Sequence, residues 1–409
     1  MNSGIDTITN NLSGGLKPEK LAVSLGFMPL TDCAPLVVAQ RMGFFEKHGL
    51  DVTLSREGSW ATIRDKIMMG VLDGGHMLAP MPLALTLGMI GKQSMVVGCA
   101  LGLNGNAVTL GAPLWDRLQP YNPAPGPMSA APIRRLIDET GARPRFGVVF
   151  PISMHSYQLR YWLADAGIDP DKEVDLIPVP PPRMVEALAN GEIDGFCVGD
   201  PWNSQAVALG VGRIALAGCE LWSASPEKVL GVTTAWADAN PGTHLALIRA
   251  IVEASAWADA PENVPKLAEM LADDRVLAVH PRAILPGLVG RYPIGLGEGV
   301  RLVPGFHLFH ASAANFPWLS HARWILGQMR RWGQVAPNVD LEAVARSVWR
   351  PDLYRSAVAP MGLPVPPTDS KAEGGYATPW SLRTATKPIP MIANRFFDGA
   401  VFDDAATSF

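Results

Sequence analysis

The stretch LAVSLGFMPLTDCAPLVVAQRMGFFEKHGLDVTLSRE, residues 21–57, decides the fold. LAVSLGF reads as a short apolar strand, CAPLVVAQRMGFFEKHG has helical spacing and stops at Gly49, and LDVTLSRE reads as a second strand. The same alternation continues outward. SWATIRDKIMMGVLDG and PLALTLGMI have helical spacing, while GHMLAP and SMVVGCALGL are apolar strands. Strands alternating with helices imply an α/β protein with a parallel-rich sheet covered on both faces.

Residues 112–143 break the series with a proline-rich passage, PYNPAPGPMSAAP, and one short helix at PIRRLIDETG. A second series follows: RFGVVFP, SMHSYQLRYWLADAG, VDLIPVP, PRMVEALANG, GFCVGD, PWNSQAVALG and RIALA. Two such series predict two similar lobes, and KVLGVTTAWADANP carries the chain back to the first. The expected organisation is a disordered segment at 1–20, the first part of lobe I at 21–111, and a connection at 112–143. Lobe II then covers 144–228, a return to lobe I with a helical region covers 229–361, and a tail covers 362–409. Trp257, Trp318, Trp324, Trp332 and Trp349 recur in the helical region, where core packing is their ordinary role. The tail is either wrapped on the body or free to hold a partner.

A chain of 409 residues with 48% hydrophobic and 18% charged residues is globular and long enough for two lobes. Its net charge of −4 argues against a broad nucleic-acid surface but not against one small anion. Cys33, Cys99, Cys197 and Cys219 have neither CxxC nor metal-ligand spacing and read as buried reduced thiols. No apolar run approaches the ~18 residues that span a membrane. The opening MNSGIDTITNNLSGGLKPEK lacks the basic start and apolar core of a secretory signal, which predicts a cytoplasmic protein.

No P-loop, GxSxG or HExxH pattern is present, so the chain reads as a binder and not an enzyme, with neither cofactor nor metal expected. In α/β lobes, ligands sit beyond the carboxyl ends of strands, where helix N-termini offer donors. Trp60, Asn106, His155, Gly199 and Lys228 fall at such places. Asp200-Pro201 after Gly199 reads as a helix cap and first turn. Singly, each candidate has a plainer reading: a packing indole, a turn former, a capping histidine, a conformational glycine and a solvated charge.

Together with their flanks they resemble a family. GFMPLTDCAPLVVAQRMGFFEKHGLDV, GSWATIRDK, LNGNAVTL, MHSYQLRYWLADAGIDP, DGFCVGDPWNSQAV, PEKVLGV and NFPWLSHARWILGQMRRWGQ resemble the nitrate- and bicarbonate-binding proteins of ABC importers, in order, over roughly residues 20–360. The resemblance implies a two-lobed periplasmic-binding-protein-like (type II) fold with a helical C-terminal extension. It also implies a ligand held at Trp60, Asn106, His155, Gly199 and Lys228. Nitrate is flat, has three acceptor oxygens and donates no proton, so an indole, an amide, a histidine, a backbone N–H and an ammonium suit it. Bicarbonate-binding relatives carry an acidic residue at the place of Lys228, and Asn106 stands where the family has glutamine. The reading of the N-terminus turns the resemblance towards the cytoplasmic nitrate/nitrite sensor branch (NasS-like). That branch implies an ANTAR-domain RNA-binding antiterminator as partner. The importer's substrate-binding component is the alternative.

Overall fold

The computed structural model describes residues 16–121, 126–295 and 297–402. Eleven strands build the frame: β1 (Ala22–Phe27), β2 (Asp51–Arg56), β3 (Gly74–Leu78), β4 (Met95–Ala100), β5 (Leu103–Asn104), β6 (Asn106–Gly111), β7 (Arg145–Val148), β8 (Asp175–Pro178), β9 (Gly195–Gly199), β10 (Gly212–Ala217) and β11 (Lys228–Thr233). Ten of them form two five-stranded sheets, ordered β2-β1-β3-β11-β4 and β10-β6-β9-β7-β8, while β5 pairs with His307–Leu308. β1 runs parallel to β2 and β3, and β7 runs parallel to β8 and β9. β11 in the first sheet and β6 in the second run antiparallel to both of their neighbours. Each of these two strands is the first that the chain lays down after crossing between lobes.

The crossing falls earlier than the sequence pattern indicates. β6 lies inside the second sheet, so lobe II begins at Asn106, and the described residues of 112–121 and 126–143 belong to it instead of forming a connection. The apolar continuity from SMVVGCALGL into NAVTLG hides the change of sheet, because a buried strand reads alike in either lobe. The two crossings run side by side. Leu101 N–H bonds Lys228 C=O and Asn104 N–H bonds Ser225 C=O, both at 2.9 Å, and Leu103 bridges Pro226. Asn104 has φ 66°, a left-handed conformation that asparagine tolerates better than most residues. Its amide donates to Ser223 and Gly305 carbonyls at 3.0 and 2.8 Å and accepts from Ser225 N–H at 3.0 Å.

In lobe I the single helix expected over residues 33–49 is two, Ala34–Arg41 and Phe44–Lys47, parted at Gly43 with φ 75°. Gly75 allows β3 to approach β1, since a methyl there would stand 2.7 Å from Gly26 O. The 18-residue helix Pro241–Ala258 is buried along most of its length and packs on Ala34–Arg41. The helices Leu319–Arg331 and Leu341–Val348 lie on Pro80–Leu87 of lobe I. Trp318, Trp324 and Trp349 are core residues there, while Trp257 and Trp332 are only partly covered. All four cysteines are buried and free.

Residues 1–15 of the expected disordered segment lie outside the described residues. Glu19 and Lys20, at its end, are bound to Gly242, Thr243 and Asp73 of lobe I. The described part of the tail, residues 362–402, is wrapped on the body. Asp369 C=O accepts from Leu319 N–H at 2.8 Å, and Glu373 accepts from Ser320 at 2.6 Å. Further on, Arg395 and Phe397 exchange backbone bonds with Ser223 and Leu221 of lobe II at 3.0 and 2.9 Å. One segment thus ties both lobes from behind the cleft.

Candidate functional site

Trp60 opens the helix Trp60–Met68 behind Ser59, whose hydroxyl accepts from Thr62 N–H at 3.2 Å. His155 lies in the first turn of Met154–Asp165, capped the same way by Ser153. Trp60 and His155 thus each stand in the first turn of a helix, the end that carries partial positive charge. Asn106 begins β6 and is paired in register with Gly199, which ends β9. Asp200 N–H bonds Gly105 C=O at 3.0 Å, so Gly199 directs its own N–H to the other edge, beyond the last residue that pairs with β7. Lys228 begins β11.

The structure brings these five residues together. Lys228 Nζ stands 5.5 Å from the Trp60 ring centroid. A methyl added to Gly199 would stand 3.5 Å from both Asn106 Oδ1 and Asp32 Oδ2. His155 Nε2 is 3.5 Å from Glu227 Oε1, and Glu227 is also the hydrogen-bond acceptor of Asn106 Nδ2. Trp60, Asn106, His155 and Lys228 are at most 1% exposed. A small ligand therefore reaches them only when the lobes part. Among the described residues, Trp60 Nε1, Asn106 Oδ1 and both ring nitrogens of His155 have no hydrogen-bond partner. Buried polar atoms without partners are uncommon in folded proteins and mark a place to receive something.

Two carboxylates that the sequence pattern left out sit in the same cluster. Lys228 Nζ donates to Asp32 Oδ2 at 2.7 Å and to Glu227 Oε1 at 2.6 Å. The expected set of donors alone is corrected accordingly: Lys228 is a paired cation, and the cleft holds acceptors too. His76 Nδ1 accepts from Met28 N–H at 3.3 Å, which leaves the proton on Nε2, 2.8 Å from Asp32 Oδ1. Gln158 joins from lobe II, accepting from Asn106 at 3.1 Å and donating to Ser225 at 2.9 Å.

Burial opposes ionisation of Asp32, but Lys228 and His76 outweigh it and hold the carboxyl well below its usual range. Glu227 goes the other way. Its burial outweighs the pull of Lys228 and Asn106, and the carboxyl is pushed up to about 7. Burial also works against the charge on Lys228, yet its two carboxylate partners raise its pKa above the ordinary lysine value. Burial, with Lys228 nearby, keeps His155 neutral, and burial does the same for His76 against the pull of Asp32.

Glu227 escapes the sequence pattern because neighbours in a strand face opposite sides. It lies one residue before β11 begins, where the chain is still leaving the crossing, so Glu227 and Lys228 reach the same cluster. Asp32 and His76 sit within apolar runs and carry no motif of their own. The Asp200-Pro201 pair is also revised. The N-cap position of the following helix is Pro201, one residue later. The Asp200 carboxyl accepts from Tyr292 Oη, from Ser204 Oγ at 3.3 Å and from the Ser204 backbone N–H in the helix's first turn. The Asp200 backbone carbonyl receives Thr31 N–H at 2.8 Å and Pro29 C=O receives Trp202 Nε1 at 3.2 Å, two bonds that fasten lobe I to lobe II.

The fold and this cluster have counterparts. The sequence pattern of the NMT1-like family matches residues 16–272. The nitrate/nitrite binding protein NrtA of Synechococcus elongatus is 35% identical over 406 residues, which covers 96% of this chain and 85% of that protein. The nitrate import ATP-binding protein NrtC of Synechocystis is 40% identical over 355 residues; the chain spans about half of it, 52%. The crystal structure of the periplasmic nitrate-binding protein NrtA from Synechocystis superposes with a TM-score of 0.85 at 32% identity, covering 95% of this chain and 97% of that one. A two-lobed fold shared end to end at this identity settles the kinship. The chain belongs to the NMT1-like family and, within it, to the nitrate/bicarbonate-binding proteins.

Proposed function

We propose that this chain binds nitrate or nitrite between its lobes and serves as the substrate-binding component of an importer of the nitrate type. The observation that carries the proposal is the buried cluster of Trp60, Asn106, His155, Gly199 and Lys228, drawn from both lobes and still holding unpartnered polar atoms. A planar anion has acceptors for the Trp60 and His155 N–H groups and for the third ammonium hydrogen of Lys228. Full-length likeness to nitrate/nitrite binding proteins supports the same ligand. Titration of the purified protein with nitrate, nitrite and bicarbonate tests it. Saturable binding of nitrate or nitrite is expected, and binding of bicarbonate alone overturns the choice of anion.

The cytoplasmic sensor that controls an ANTAR-domain RNA-binding antiterminator is the second reading of the same anion-binding cleft. It adds a partner and a cytoplasmic location to the same cleft. Such a sensor works only if its ligand prefers the free form over the complex. Co-purification with the antiterminator, released by nitrate or nitrite, decides for this reading, and stimulation of an importer's ATPase decides against it.

A further inference from the structure

Of the two carboxylates in the cluster, Glu227 is the one that engages both Lys228 and Asn106. Its Oε1 contacts Lys228 Nζ at 2.6 Å and its Oε2 accepts from Asn106, so it occupies two of the groups that an anion would use. The charges in this buried space are few. Lys228 brings one positive charge, Asp32 and Glu227 bring one negative charge each, and the histidines are neutral. The two helix starts together add roughly one more positive charge. With Glu227 ionised, a bound monoanion leaves a net negative charge of about one in a desolvated cleft. With Glu227 protonated, the sum is zero.

We propose that Glu227 takes up a proton as the anion enters, so that the cleft binds a monoanion and a proton together. This rests on the nitrate reading above and deepens it. The proton comes from solvent and is held on the Glu227 carboxyl; no bond of the anion changes. A protonated Glu227 releases Lys228 to the ligand. It also provides an O–H that Asn106 Oδ1, now without a partner, accepts once that amide turns over.

The groups facing Glu227 leave it as the natural proton acceptor. From β11 comes Lys228, which stays charged, and from the 31–33 turn comes Asp32, held ionised by Lys228 and His76. From the Met154–Asp165 helix comes His155, kept neutral, and from β9 comes Cys197, whose thiol burial pushes well up. His76, and His307 at about 4, lie beyond Lys228 and Asp32 and also stay neutral. Burial already pushes Glu227 itself up to about 7, and an incoming anion, a further negative charge beside it, raises it beyond that. Asp200 titrates in the same range, but its carboxyl faces Tyr292 and Ser204 instead of the cluster.

The test is calorimetric titration with nitrate, which does not titrate in this range, in two buffers of different ionisation heat. The wild-type heats should differ by one proton per nitrate, and Kd should rise about tenfold per pH unit between about pH 8 and 9. In Glu227→Gln, proton uptake should vanish and Kd should become flat with pH. Infrared difference spectra of the wild type should show a protonated-carboxyl band on adding nitrate, a readout that needs no variant. Wild-type nitrate binding with no proton uptake overturns the proposal and leaves the nitrate reading intact, as does uptake that persists in Glu227→Gln. If the folded wild type binds no nitrate at any pH, the nitrate reading falls and this proposal falls with it.

Discussion

Trp60 has two roles that one substitution can separate. Its ring is buried against His76 at 5.4 Å between centroids and beneath the Lys228 ammonium, while its Nε1 has no partner. Trp60→Ala removes both and is expected to cost about 3–5 kcal/mol of stability. Trp60→Phe keeps an aromatic ring and removes only the N–H. A hydrogen bond to a charged group contributes about 1.5–3 kcal/mol, so nitrate binding should weaken roughly tenfold to a hundredfold while the protein still melts cooperatively. Unchanged affinity in a folded Trp60→Phe would remove the indole from the site. Lys228→Gln is expected to abolish binding and also to destabilise the protein by about 3–5 kcal/mol, because Asp32 stays buried without its cation. A Lys228→Gln protein of wild-type stability in urea would contradict the ion pairs described for Lys228. At this scale the sequence pattern named the five positions but not the balance among them. Asp32 and Glu227 went unseen because a carboxylate beside an anion site looks misplaced until its cation is found.

The element that matters most for motion is the pair of chain crossings at 101–105 and 218–227. Asn106 and Lys228 follow directly on these crossings and Glu227 ends one of them, so a ligand that engages them binds where the chain passes between the lobes. Asn104→Gly keeps the left-handed backbone but deletes three side-chain hydrogen bonds of the crossing. A loss of about 1–3 kcal/mol in urea unfolding is expected. No loss would show that the crossing needs the backbone bonds alone. The sequence pattern displaced this element by several residues because β4 and β6 are equally apolar, and strand periodicity does not say which sheet a strand joins. The proline-rich passage was the misleading signal: its described residues on both sides, Leu118 and Met128, pack in the core of lobe II. The tail was open between two readings, since its few apolar residues, such as Met391 and Phe396, gain meaning only against the surface they cover.

For the whole molecule, buried titratable groups set the pH range of stability. His155, His321, His244 and His307 are kept neutral by burial, the last two at about 4. Each contributes stability that is full above the ordinary histidine range and is lost as pH falls through the folded value. Glu227 and Asp200, both pushed up to about 7 by burial, act in the opposite sense. Their protonated forms favour the native state, and that contribution is lost as pH rises through about 7. Thermal melts should therefore show a sharp acid loss below about pH 6. Glu227→Gln should gain stability relative to wild type as pH rises from the ordinary carboxyl range to about 7, and the gain should level off above it. A gain confined to acid pH would reverse the assignment of Glu227. The two-lobed α/β architecture itself was legible from the alternation of strands and helices, because that pattern leaves few topologies open.

The central claim is that a small planar anion is held between the lobes. Calorimetric titration of the purified, ligand-free protein with nitrate, nitrite, bicarbonate and chloride tests it most directly. Saturable binding of nitrate or nitrite is expected, with no matching response to bicarbonate or chloride. A folded protein that gives no heat and no change in melting temperature with either nitrate or nitrite would contradict it.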